Sequence, residues 1–372
     1  MKPWRRTRVL GLVAVLCAGV AHADSRDRAA APALVGTISV PGKNLTSFDI
    51  SWVDDSSETY YLADRSNAGV DIFDARRGTF TGRVGGFAGQ KASNDVSGPN
   101  GVLSIESLHE VWAGDGDSTI KVIDVRSSPA VVATISTGGL ARADEMAFDP
   151  RDHLVLVAND ADSPPFVSLV STESRTVVGR ISFPEATNGI EQSVWDPATR
   201  RFYLSIPELN GNPRDGEIAV IDPRSGTLVD AFAVSECEPA GLVLGPRQQL
   251  LVGCSQDAIA AGFAPKTLVL DARSGDTVAT ITQVGGSDEV WFNPGDQRYY
   301  LAARGMKPPV LGVIDARTNT WVANVTTGVN GSNAHSVAAD RKNNHVFVPL
   351  RAPNAACANG CIGVFATPDD DD

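Results

Sequence analysis

The sequence predicts an all-β fold, a single seven-bladed β-propeller with four-stranded blades. Three observations carry that prediction: a phrase that returns about every 48 residues, four short strand-like runs in each return, and units at the two chain ends that complete each other.

The repeat is read from its turns. Met146-Ala-Phe-Asp149-Pro150 leads into His153-Leu-Val-Leu-Val-Ala, Ser193-Val-Trp-Asp196-Pro197 into Arg201-Phe-Tyr-Leu-Ser, and Val290-Trp-Phe-Asn293-Pro294 into Arg298-Tyr-Tyr-Leu-Ala. Each pair is followed by a third apolar run such as Ile218-Ala-Val-Ile-Asp222 and a fourth such as Thr176-Val-Val-Gly-Arg-Ile. Runs this short, apolar and bounded by turn residues are strands. The turn after each first strand gives seven anchors: Asp54, Ser104, Asp149, Asp196, Gly245, Asn293 and Asp340. Their spacings are 50, 45, 47, 49, 48 and 47 residues, the period of a propeller blade.

The ends predict how the ring closes. The last unit has three strands, ending in Cys361-Ile-Gly-Val-Phe-Ala, while a lone strand, residues 33–40, precedes the first unit. That strand is predicted to pair with 361–366 and complete the seventh blade, which removes two open sheet edges. The propeller then spans residues 33–367, with a flexible stretch at 24–32 and an acidic tail at 368–372.

Residues 1–23 read as an export signal. Lys2, Arg5, Arg6 and Arg8 precede an apolar run from Val9 to Val20, and Ala21-His22-Ala23 is a cleavage pattern before Asp24. The apolar run is too short to span a bilayer. The expected location is the bacterial periplasm, or outside the cell, by ordinary secretion.

The whole chain carries 32 basic against 44 acidic residues, a net charge of −12. Such an acidic body excludes nucleic acid as a partner on electrostatic grounds. With 42% apolar and 20% charged residues it is neither disordered nor a membrane bundle. Four cysteines remain after the signal, an even number in an oxidising compartment. Cys237 and Cys254 flank a hairpin turning at residues 245–247 and are predicted to pair. Cys357 and Cys361 are predicted to close a short loop.

Residues five positions before the anchors lie where innermost strands enter the channel. They are Asp49, Pro99, Asp144, Glu191, Ala240, Asp288 and His335, with Asn100 and Glu238 beside the two exceptions. Convergent carboxylates repel each other, and a cation removes the penalty. Asp49, Asn100, Asp144, Glu191, Glu238, Asp288 and His335 are therefore the candidate ligands of a divalent metal. Oxygen donors suit Ca²⁺, Mg²⁺ or Mn²⁺, and the imidazole admits Zn²⁺ or Fe²⁺. Arg304 and Arg351, which end the second strands of the last two blades, are candidates for holding a ligand carboxylate or phosphate, or for neutralising ring acids. Long loops at 207–216, 255–265 and 351–360 gather on the same face, where a pocket is expected.

The phrases Tyr60-Tyr-Leu-Ala-Asp, Leu154-Val-Leu-Val-Ala-Asn159 and Tyr300-Leu-Ala-Ala, each followed by a strand such as Ile120-Lys-Val-Ile-Asp124 or Val313-Ile-Asp315, resemble the YVTN-type propeller repeats of exported bacterial proteins. The resemblance implies architecture over about 340 residues. It also implies a choice between lactonase-like enzymes, metal-site enzymes and binding scaffolds. The functional expectation is an exported propeller binding a divalent metal and a small anionic ligand in an acidic funnel. It would serve as a metal-dependent ester or lactone hydrolase in which His335, Glu191 and Asp144 move protons. The alternative is a non-catalytic scaffold that binds a protein or peptide on the same face. No serine-hydrolase elbow, Walker loop, dinucleotide fingerprint or haem-attachment motif occurs.

Overall fold

The computed structural model describes Met1 and residues 30–328 and 334–368. The expected export segment beyond Met1 and the acidic residues 369–372 lie outside the described residues, as do 24–29 of the expected flexible stretch.

Seven four-stranded antiparallel sheets form the ring, in the order blade 1 (51–85), blade 2 (102–136), blade 3 (146–182), blade 4 (193–235), blade 5 (239–281), blade 6 (290–326) and blade 7 (338–366). Blade 7 supplies three strands of its own, and Ala33–Ser39 pairs with Cys361–Ala366 as its fourth, through Ile38↔Ile362 and Thr37↔Gly363. Burial falls outward within a blade. In blade 5 the second strand Gln249–Cys254 is wholly buried, whereas the fourth strand Thr277–Ile281 is mostly exposed.

The recurring Asp and Asn residues are turn makers. Asp149, Asp196, Asn293 and Asp340 accept the backbone N–H of Arg151, Ala198, Gly295 and Lys342 at 2.8–3.0 Å, which closes each first hairpin. Asp124, Asp222, Asp271 and Asp315 do the same at the end of third strands. These are side-chain-to-backbone turns that short acidic and amide residues favour. The residue before the second strand sits in the left-handed region in six blades, at Glu58, His109, His153, Arg200, Gln248 and Gln297, and in blade 7 Asn344, two residues before that strand, does so. His109 and His153 are thus turn residues, tolerated there better than a β-branched side chain would be.

Pairing corrects one register. Ile105↔Glu110 occupies in blade 2 the place that Asp54↔Thr59 holds in blade 1, so the anchor is Ile105 rather than Ser104. Five positions upstream is then Asn100. In blade 7, Pro349 falls where other second strands present an N–H, and the regular first strand shortens to Ala338–Ala339. Trp52 of blade 1 and Trp291 of blade 6 meet edge to face, ring centres 5.1 Å apart, beside the small Ala338 of the blade between them. The pair thus reaches past blade 7.

Candidate functional site

Both predicted disulfides are present. Cys237–Cys254 joins the segment just before the first strand of blade 5 to the end of its second strand, and Cys357–Cys361 closes the loop after the second strand of blade 7. Leu45 N–H donates to Asn359 O, and Ala352 N–H donates to Leu45 O, so this closed loop is tied to the segment that enters blade 1.

Asp49, Asn100, Asp144, Glu191 and Asp288 take equivalent places at the entrance of five innermost strands. In each case the backbone N–H donates to a carbonyl of the neighbouring second strand: Ala63, Gly114, Ala158, Ser205 and Ala302. The architecture does bring them to one mouth. His335 arrives from blade 7, stacked on Phe48 at 4.8 Å, with Nε2 3.2 Å from Asp49 Oδ1. Glu238 stands apart. A bulge between Pro239 and Leu242 displaces it, and its neighbours are Asn188, which donates to it at 3.2 Å, and the acids Asp257 and Glu208.

Guanidinium groups thread this ring. Arg65, itself 4% exposed, bonds Asp49 and donates from Nε to Asn100 Oδ1 at 2.9 Å. Asn100 passes the chain on by donating to Ala143 O at 3.1 Å. Arg142 lies 2.7 Å from Asp144 and donates from Nε to Asp160 at 3.0 Å. Arg304 pairs with Asp288 at 3.0 Å, while its buried Nε finds no acceptor among the described residues.

Burial works to raise the Asp49 carboxyl, but Arg65 and His335 outweigh it and hold it well below the usual carboxylate range. Asp144 is pushed up to about 8 by burial, against Arg142, with Asp49 and Asp160 adding to the rise. Glu191 is raised by burial and by Asp288, Asp160 and Asp144. One residue deeper along the first strands, Glu145 and Glu289 are raised for the same reasons. Glu289 accepts from Ser336 Oγ and Val337 N–H on one oxygen, and its other oxygen has no partner among the described residues.

As arranged, these donors fit a divalent cation poorly. Among the described residues no three His, Cys, Asp or Glu side chains are grouped to hold a metal ion. The charges of Asp49, Asp144 and Asp288 are already met by Arg65, Arg142 and Arg304.

The position that matters more is the residue just after the second strand. In blades 1, 6 and 7 it is arginine: Arg65 follows Thr59–Asp64, Arg304 follows Arg298–Ala303, and Arg351 follows Val346–Leu350. Those blades are neighbours across the ring closure, so the three side chains share one side of the mouth. With His335 they line a cavity of about 170 Å³, floored by Phe48 and rimmed by Gln90 and Asn94. Arg351 is exposed and has no ion-pair partner among the described residues. In blade 3 the matching residue is Asp160, which with Asp95, Asp162 and Glu191 makes the opposite side of the mouth acidic around a cavity of about 720 Å³. Arg65 and Arg142 were not foreseen. Arg65 carried the same signal as Arg304 and Arg351, a basic residue closing a second strand.

No protein-family model matches the chain, and no curated protein matches it either. Among solved structures it is similar to a chain of hydrazine synthase from Kuenenia stuttgartiensis, with a TM-score of 0.67 and 14% identity, covering 89% of this chain and 100% of that one. A likeness at that identity concerns architecture alone: the chain is an all-β seven-bladed propeller.

Proposed function

We propose that the chain is an exported propeller that binds a small anionic ligand, bearing a carboxylate or phosphate, in the basic half of its mouth. The observation that carries this reading is the convergence of Arg65, Arg304, Arg351 and His335 on one cavity in a protein of net charge −12. Guanidinium forks match carboxylate and phosphate oxygens, and a site walled by low-dielectric blades strengthens each contact. The ring acids beneath act as fixed counter-charges that hold Arg65 and Arg304 in place. The resemblance to exported YVTN-type repeats, the signal-like residues 1–23 and the two disulfides support export, and no helix among the described residues is long and apolar enough to cross a membrane.

Calorimetric titration with galacturonate and with inorganic phosphate tests it. Saturable binding that weakens about tenfold in Arg351→Ala supports the reading, since a charged contact is worth about 1.5 kcal/mol or more. Heat-silent titrations with both anions would overturn it.

A second reading, a metal-assisted hydrolase, keeps one observation in its favour. The Glu191 side chain has neither a hydrogen bond nor an ion pair among the described residues, and its carboxyl is raised by burial and by Asp288, Asp160 and Asp144. Stoichiometric metal in purified protein, lost together with several degrees of Tm on chelation, would favour it over the anion site.

A further inference from the structure

We propose that the ligand of this mouth is an elongated dianion, with a negatively charged group at each end of a hydroxylated body the size of an acidic disaccharide. The inference rests on the anion reading above and adds a second subsite to it.

A second cavity of about 540 Å³ adjoins the first and shares Thr46, Arg65 and Gln90 with it. Since a water molecule takes roughly 30 Å³, this space admits far more than a single ion. Lys43 and Lys91 line this cavity and not the first, both exposed and neither with an ion-pair partner among the described residues. Their backbones are pinned while their ammonium groups stay uncommitted. Lys43 N–H donates to Asn67 Oδ1 at 2.7 Å, Asn67 Nδ2 donates back to Lys43 O at 3.2 Å, and Lys91 N–H donates to Ser97 Oγ at 2.9 Å. Among the described residues no carboxylate lines either cavity, although the chain has 44 acidic residues against 32 basic ones. The shared wall offers the hydroxyl of Thr46 and the amide of Gln90, with Asn44 and Ser66 beside them. Such groups suit hydroxyls better than an apolar linker. Arg304 and Arg351 thus take one anionic end, Lys43 and Lys91 the other, and Arg65 stands between.

Titration of digalacturonate against galacturonate tests the second subsite, using wild-type protein, Lys43→Ala/Lys91→Ala and Arg351→Ala. Wild type should bind digalacturonate about tenfold tighter, the sum expected of two exposed charge contacts. The double lysine variant should lose that preference and bind both sugars alike. Arg351→Ala should weaken both. Equal affinity of wild type for the two sugars, or a preference kept by the double lysine variant, overturns the second subsite while leaving the anion site standing. Absence of binding by either sugar to wild type overturns the second subsite, and, with inorganic phosphate silent as well, the anion site too.

Discussion

His335 Nε2 lies 3.2 Å from Asp49 Oδ1, which ties the last blade to the first exactly where the ring must close. Asp49 is also the counter-charge of the buried Arg65. Asp49→Asn should therefore destabilise the protein by about 3 kcal/mol near pH 7, because it leaves a buried guanidinium unpaired. The Asp49 carboxyl is depressed in the folded state. Its contribution is full above the unfolded value, about pH 4, and is lost as pH falls through the lower folded one. Urea unfolding at several pH values should show a constant gap between wild type and variant from pH 5 to 8, narrowing only in stronger acid.

The deeper acids act with the opposite sign. Glu145 and Glu289 have raised carboxyls, so the folded protein holds protons that the unfolded chain has released, and stability falls as pH rises above about 4.5. Glu145→Gln should melt about 2 °C higher than wild type at pH 8 and the same at pH 4. A variant that melts lower at pH 8 would show that Glu145 is a needed anion, as a cation site requires.

The two disulfides should separate stability from binding. Cys237–Cys254 closes a span of 17 residues and Cys357–Cys361 one of 4. Chain entropy ranks their stabilisation at about 3 and about 2 kcal/mol. Cys357 and Cys361, however, hold the loop that begins at Arg351 and leans on Leu45. Replacing both by serine should weaken galacturonate binding more than Cys237→Ser/Cys254→Ser does, although the latter pair costs more in Tm.

Closure can be tested through Ile38. Its side chain is 4% exposed and packs with Leu45, Phe73 and Ile362 where first and last blades meet. Ile38→Ala should cost about 2–5 kcal/mol. A cost below 1 kcal/mol, read from urea unfolding, would mean that this strand is not part of the folded ring.

Fold and closure were legible because the same turn chemistry recurs: Asp149, Asp196 and Asn293 close hairpins that any strand pairing needs, and the orphan first strand has one place to go. The mouth was legible by position and not by electrostatics. Counting from anchors found Asp49, Asp144, Glu191, Asp288 and His335, but the turn at Ser104 was off by one. The bulge that displaces Glu238 also left no mark in spacing. The counter-charges Arg65 and Arg142 come from other strands and loops, a pairing set by three-dimensional packing. A count of acids alone therefore leaves these counter-charges out.

The most direct measurement is a crystal structure of the protein soaked with galacturonate. The carboxylate should lie between Arg304, Arg351 and His335, with Arg65 within hydrogen-bonding reach. A ligand seated instead against Glu191 and Asp160, or held through a metal bound by Asp144 and Glu191, would contradict it.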